Sequence, residues 1–487
     1  MRRRLPEATR EHSTKAAERR IAVVYRPIAE LKLNPKNPRE HSPRQVRQIA
    51  RSIEVFDFNV PVLIDAQGNI VAGHGRILAC QLLGWREVPT ICLAHLSAAQ
   101  AKAFMIADNR LTENSVWDER LLAEQLKELA ILDLDFSLEV TGFDMGEIDL
   151  RIEGLAAPSG AREDPADDLS TLPTGPSVTR TGDVWELGEH RVLCGSALDP
   201  AAYVALLGSE QADMVFIDPP YNVPIADNVS GLGAIRHRDF AMASGEMSEA
   251  EFTRFLLDAC SLLACHSVEG SLHYICMDWR HLAELLAAGR EVYRELLNVC
   301  VWEKDNGGMG SFYRSKHELV FVFKHGRRSH RNNIQLGQYG RNRSNVWHYP
   351  GANSFSRTSD EGNLLARHPT TKPAALVADA IMDCTARCDL VLDGFLGSGT
   401  TIIAAARCGR RCLGVEIDPL YVDTVVRRWQ AFSRDNARHA ASGRTFREIE
   451  AEAEGSSGGE ERKTRLRGRL RKAAAPHAIS EGPVRKS

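Results

Sequence analysis

From Gly182 onward the chain alternates short apolar runs with stretches of helical spacing. Asp213-Met214-Val215-Phe216-Ile217 is a buried-strand pattern, and Ser271 to Met277, Leu319 to Phe323, Asp389 to Leu392 and Arg411 to Val415 read the same way. Helical periodicity fills the intervals over Glu249 to Cys265, Pro373 to Cys384 and Thr400 to Cys408. Strands alternating with helices predict an α/β fold built on a parallel, doubly wound sheet. Upstream, residues 21–150 carry a compact mixed pattern. Pro61 to Asp65 reads as a buried strand, Gln67-Gly68-Asn69 as a turn and Ile70 to Ala72 as its hairpin mate, followed by a helix over Arg76 to Leu83 that Gly84 stops. Between these regions, residues 151–181 are rich in Pro, Gly, Ser, Ala and Asp and read as a linker. Residues 1–20 read as a flexible basic arm and 438–487, poor in apolar side chains and basic near its end, as a disordered tail. The expected organisation is therefore a smaller domain over 21–150 and a larger one over 182–437.

Composition narrows the picture. A chain of 487 residues with 43% hydrophobic content can build two or three globular domains, and its formal net charge of −3 provides no chain-wide attraction to nucleic acid. Any DNA contact has to come from a locally basic face. No apolar run follows Met1-Arg2-Arg3-Arg4, and none approaches the length of a membrane span, so the reading is cytoplasmic. The 11 cysteines are scattered as reduced thiols would be. Cys384, Cys388, Cys408 and Cys412 form two C-x3-C pairs, but zinc knuckles are usually tighter, and packed thiols without a metal are expected.

Two elements carry chemistry. Asp218-Pro219-Pro220-Tyr221 follows a buried strand, and in an open α/β sheet ligands sit outside the carboxyl ends of strands. The prolines stiffen the exit and leave carbonyl oxygens free, Asp218 adds an acceptor, and Tyr221 adds a flat face. Acceptors on both hydrogens of an exocyclic amine favour the tetrahedral nitrogen that attacks an electrophile, while an aromatic ring stacks on an extruded base. The bland alternative is a Pro-rich turn closing a strand. The second element runs from Asp389 to Thr401 as strand, glycine-rich turn and helix start. Gly397 and Gly399 let backbone approach a ligand, and the helix N-terminus offers free N–H groups. The turn has neither the lysine of a phosphate loop nor the G-x-G-x-x-G spacing of a dinucleotide site. Glu416 ends the next strand, 17 residues after Gly399, where an acid binds ribose hydroxyls. Together these imply a nucleoside cofactor without phosphates.

In order along the chain, Asp218 to Tyr221, Trp302-x-Lys304, Arg314-x-x-His317-Glu318, His368-Pro369-Thr370-Thr371-Lys372-Pro373 and Phe395-x-Gly397-x-Gly399 resemble the blocks of the β-class DNA amino-methyltransferases over about residues 182–437. The resemblance implies a Rossmann-like doubly wound mixed sheet of the S-adenosylmethionine-dependent type and transfer of a methyl group to an exocyclic base amine after base flipping. Double-stranded DNA is the implied partner, in the setting of restriction and modification. The cofactor would contact Asp393, Phe395, Gly397, Ser398, Gly399, Thr400 and Glu416, with His368, Thr370 and Lys372 at its methionine end. Asp218, Pro219, Pro220 and Tyr221 would be catalytic. Aspartate in the first position implies adenine N6; cytosine N4 and RNA remain alternatives, as does a DNA-binding protein with a module that does not turn over. The family commonly has Gly-Asp ahead of this strand where Gly195-Ser196 stand here, leaving Asp199 as a substitute. Residues 324–366 fall in the family's target-recognition interval, with no acidic residue from Lys324 to Ser359, so Arg327, Arg328, Arg331, Arg341 and Arg343 are expected to contact DNA.

The N-terminal region resembles the ParB/sulfiredoxin-like domain of chromosome-partition proteins, a smaller α+β fold. The carrying residues are Asn34-Pro35-x-Asn37-Pro38-Arg39, Ser52-Ile53, Pro61-Val62, Gly73-His74-Gly75-Arg76 and Asp108-Asn109-Arg110. The loop Gly73 to Arg76 implies a nucleotide partner, although His74 stands where that family has an acid. The resemblance also leaves a homodimer open.

Overall fold

The computed structural model describes residues 21–35, 37–132, 134–155, 177–222, 245–304, 313–337, 341–349 and 372–453. The expected N-terminal arm and most of the linker lie outside them. The chain divides into two compact units, Met1–Asp144 and Met145–Ser487.

In the first unit, Val23–Pro27 (β1), Val62–Ile64 (β2), Ile70–Ala72 (β3) and Glu87–Cys92 (β4) form a sheet in the order β1-β4-β2-β3. Its core gathers Ile28, Ile53, Val62, Ile64, Ile70, Ile77 and Val88. The helix Pro43–Phe56 begins where its sequence directs, with Ser42 Oγ accepting from Gln45 N–H and a proline in the first turn. The hairpin turn is tied by the Asp65 carboxylate, which accepts from Gln67 and Asn69.

The second unit holds ten strands among its described residues: Val184–Leu187 (β5), His190–Cys194 (β6), Ala212–Ile217 (β7), Ser267–Met277 (β8), Glu295–Glu303 (β9), His317–Lys324 (β10), Val346–His348 (β11), Leu390–Asp393 (β12), Arg411–Glu416 (β13) and Arg438–His439 (β14). They order as β11-β9-β10-β8-β7-β12-β13-β6-β5-β14. The five central strands from β8 to β6 run parallel, so one edge of the sheet gathers their carboxyl ends. Strand β10 is antiparallel to both its neighbours and β5 is antiparallel to β6, so the sheet is mixed. Along β7, Met214 and Phe216 pack into one core while Val215 and Ile217 pack into the other. Burial on both faces is why the strand reads as a continuous apolar run. Helices Ala374–Cys384, Thr400–Arg407 and Pro419–Ser433 cover the first face; Pro200–Leu207, Glu249–Cys265 and Leu282–Val292 cover the second.

The domain limits expected from composition shift at both ends. Helix Met145–Glu153 belongs to the second unit, where the buried Asp149 carboxylate takes two hydrogen bonds from the buried Arg410 guanidinium at 2.9 and 2.7 Å. Thr179, assigned to the linker, donates from its backbone and hydroxyl to the buried Asp423. At the other end β14 and a helix over residues 446–453 continue past 437, and Phe446 is fully buried against Trp185 at 5.0 Å between ring centroids. Composition missed these segments because each contributes only one or two core side chains. Cys384, Cys408 and Cys412 are buried thiols, with Cys384 and Cys408 bonded to helix carbonyls, whereas Cys388, expected to be packed with them, is exposed.

Candidate active site

The carboxyl ends of β7, β12 and β13 open into one cleft of about 1110 Å³, its mouth included. It is lined by Asp218, Pro219, Pro220 and Tyr221 after β7, Asp393 to Ser398 and Thr400 after β12, Glu416 after β13, and Lys372. Elements far apart in sequence thus meet because β7 and β12 are neighbours, with Leu390 N–H donating to Asp213 Oδ2 across 177 residues.

Around Asp218 the structure assembles charges that sequence alone did not connect. Tyr221 OH donates to Asp218 Oδ1 at 2.5 Å, and Lys372 Nζ lies 2.6 Å from Asp218 Oδ2 and 2.9 Å from Glu318 Oε2. Lys304 closes the group by pairing with Glu318. Lys372, expected beside the cofactor's methionine end, lines the same cleft as the turn after β12 and pairs there with Asp218 and Glu318. Glu318 and Lys304 were visible in two sequence blocks, but only as strand-end residues. Their signal was a charge at the tip of an apolar strand on the carboxyl edge. Burial works to raise the Glu318 carboxyl, yet Lys372 and Lys304 outweigh it and hold it at about 2. Burial pushes Asp218 up, Lys372 opposes this, and the like charge of Glu318 adds to it. Burial lowers the Lys372 ammonium less than the two carboxylates raise it, so it stays protonated.

The turn after β12 is held from inside. Asp393 accepts from Phe395 N–H at 2.9 Å and from Thr401 Oγ1 at 2.6 Å, and burial pushes its carboxyl up to about 7. Glu416 accepts from Gly397 N–H at 2.8 Å and from Asp418 N–H at 2.9 Å, with burial again raising it to about 7. Gly399 caps the following helix at φ +85°, and an added Cβ would lie 2.9 Å from Val425. Arg428 reaches Ser398 O, Ser398 Oγ and Thr400 Oγ1, a bracing role the sequence did not announce. Asp199 is committed elsewhere, capping the helix Pro200–Leu207 through Ala201 N–H. His368 and Thr370 lie outside the described residues.

The five arginines expected to read DNA divide into two groups, neither at the cleft. Arg341 and Arg343 turn inward onto Asp379 and Asp383 of the helix Ala374–Cys384, with the Arg341 side chain only 5% exposed. Burial raises Asp383 to about 6 against the pull of both guanidinium groups. Arg327 and Arg328 are exposed beyond the end of β10, their backbone N–H groups bonded to Glu269 near the start of β8. Arg331 lies in the field of Asp213 and Asp389, at the amino ends of β7 and β12. These three sit on the edge opposite Asp218. Composition showed the basic stretch but could not show which edge it would occupy.

In the first unit, Gly73 starts helix His74–Leu82 at φ +101°. His74 is buried, and neither its Nε2 nor the buried Nε of Arg76 finds a hydrogen-bond partner among the described residues.

Residues 212–427 match the family described as DNA methylase, 120–181 match the ParB-methyltransferase HTH domain, and 11–109 match the ParB N-terminal domain. The helix-turn-helix match spans the stretch read from sequence as domain end and linker. The ParB-like nuclease domain-containing protein YnaK of Escherichia coli K12 is 44% identical over 81 residues, 17% of this chain and 93% of its own. The type II methyltransferase M2.DpnII of Streptococcus pneumoniae is 27% identical over 253 residues, covering 49% of this chain and 90% of its own. Among solved structures, the M1.HpyAVI–SAM complex is 19% identical with a TM-score of 0.35, covering 49% of this chain and 97% of that one. The cytosine-N4-specific PvuII DNA methyltransferase is 15% identical with a TM-score of 0.36, covering 54% and 94%.

Proposed function

The chain belongs to the N6/N4 DNA amino-methyltransferases, with ParB-type and helix-turn-helix segments ahead of the catalytic unit, and on that premise we propose that it methylates adenine N6 in double-stranded DNA using S-adenosylmethionine. The carrying observation is that Asp218 and Tyr221 share one cleft with the Asp393 to Thr400 turn and Glu416. The cleft fits that cofactor. A glycine turn leaves open space at Gly397, Phe395 offers an aromatic face, and Asp393 and Glu416 are buried acids suited to hydroxyl donors and to positive charge. Glu416 and Asp393 would hold it, and when bound it supplies the electrophilic methyl.

The protein's own residues act on the base. Asp218 accepts one amine N–H and the carbonyls of the Pro219-Pro220 exit accept the other, drawing the nitrogen toward tetrahedral geometry. Tyr221 provides the stacking face for the flipped base. Preorganised acceptors of this kind remove the need for a covalent intermediate. Adenine rather than cytosine is supported by Asp218 itself, an anionic acceptor anchored by Lys372.

Incubating the chain with duplex DNA and methyl-labelled cofactor, then identifying the modified nucleoside, tests the reading. N6-methyladenine is expected; N4-methylcytosine alone would overturn the base assignment, and no methylated base would overturn the activity. Asp218→Ala should lower transfer at least a hundredfold while cofactor affinity changes less than about threefold.

For the ParB-type unit we infer a phosphate-bearing ligand at Gly73 to Arg76, supported by the buried, unsatisfied nitrogens of His74 and Arg76. Calorimetry with nucleoside triphosphates on wild type and Arg76→Ala decides it.

A further inference from the structure

Arg341 and Arg343 turn inward and Arg327, Arg328 and Arg331 lie toward the far edge, so none of these five is placed to meet DNA at the cleft. β10 runs from the catalytic edge at His317 to the opposite edge at Lys324, a span of roughly 20–25 Å at about 3.3 Å per residue. That distance separates Arg327 and Arg328 from the mouth of the cleft. The carboxyl edge beside the cleft has a different surface. β8, next to β7 in the sheet with Ile217 opposite Ile275, ends at Met277 and leads into Asp278, Trp279 and Arg280. Trp279 is 52% exposed, and the Arg280 guanidinium lies over its ring at 5.5 Å. Ahead of β10 on the same edge stand Tyr313, 83% exposed, with Arg314 and Lys316 also exposed, and His348 ends β11 nearby.

This rim is tied to the catalytic turn. Asn222, directly after Tyr221, holds Met247 at the start of helix Glu249–Cys265. Phe252 on that helix packs edge-on to His281, which Asp278 binds in turn. Among the described residues, Asp278 pairs with Arg280 and Glu303 pairs with Lys316 and meets the His348 ring, while Glu246, Glu249 and Glu251 stand exposed at the start of the neighbouring helix.

We propose that this carboxyl-edge rim, centred on Trp279 and Arg280, is the surface that grips the DNA duplex while a base enters the cleft. Its chemistry matches a polyanion that offers flat faces when opened. Guanidinium and ammonium groups meet phosphates, and an exposed indole on the same sheet edge stacks on a base left unpaired by extrusion. The inference rests on the DNA-methylation reading above.

The test uses the full chain and a labelled pool of short duplexes of randomised sequence, followed by anisotropy across a salt series and by methyl transfer. Trp279→Ala should weaken duplex affinity about tenfold or more, with Trp279→Phe recovering most of the loss. Arg280→Glu should flatten the dependence of log affinity on log salt by about one. Cofactor binding, measured separately by calorimetry, should stay within about twofold in all three, which excludes unfolding. A wild-type chain that methylates the pool while these variants bind it as tightly and with the same slope overturns the rim alone. So does loss of binding in an Arg327→Glu, Arg328→Glu, Arg331→Glu triple variant with none in the rim variants. A wild-type chain that leaves the pool unmethylated overturns both the rim and the reading beneath it.

Discussion

With its ammonium 2.6 Å from Asp218 and 2.9 Å from Glu318, Lys372 separates two carboxylates that would otherwise repel each other. Cys276, Tyr221, Lys304 and Asp393 complete the titratable surroundings. Removing the cation leaves like charges side by side and raises the pH at which Asp218 ionises. Lys372→Met should therefore move the acid limb of kcat/KM to higher pH, with activity partly recovering as pH rises. Glu318→Gln should move it the other way, because Lys372 then serves Asp218 alone. A pH–rate profile of the two variants checks the opposed signs, which a purely structural role would not produce. Asp393 and Glu416 make a second pH statement. Both titrate near 7 in the fold, against about 4 in an unfolded chain. Between those values the folded protein keeps protons that the unfolded chain has released, so cofactor-free stability falls as pH rises across that window. Asp393→Asn should raise the Tm of the cofactor-free protein at about pH 8 by a few degrees and weaken cofactor binding, as thermal melts with and without cofactor would show.

At the scale of elements, the glycine turn after β12 is set by close packing. Gly399 combines a left-handed φ with an approach to Val425 that leaves no room for a methyl. Gly399→Ala should cost about 1–3 kcal/mol of stability and most of the cofactor affinity, measured by denaturant unfolding and calorimetry. This element was legible in the sequence, as were β7, β8, β10, β12 and β13, because burial on both faces writes an unbroken apolar run. β9 was not, since Glu295, Asn298 and Glu303 interrupt its pattern on a strand near the sheet's edge. The charge group around Asp218 was half legible. Each member appeared in a block of sequence, but the contacts join positions up to 154 residues apart, and only pairing of the strands brings them together. The inward turn of Arg341 and Arg343 was hidden because Asp379 and Asp383, which hold them, lie on a helix that reads as amphipathic by itself.

For the whole molecule, the limits of the catalytic unit follow from buried polar contacts rather than composition. A fragment beginning at residue 182 would leave Arg410 buried without Asp149 and Asp423 without Thr179. Breaking one side of a buried ion pair costs about 3–5 kcal/mol. Residues 182–453 should therefore aggregate or melt without cooperativity, whereas 145–453 should give a single sharp thermal transition by circular dichroism. The adjacency of β7 and β12 has a consequence for synthesis. During translation β7 emerges with both faces apolar and one flank unpaired, and its neighbour follows 177 residues later. At about 5–20 residues per second that interval lasts roughly ten to thirty-five seconds, during which the growing polypeptide offers a sticky, half-zipped edge. The cleft is thus incomplete until Glu416, at the end of β13, has left the ribosome.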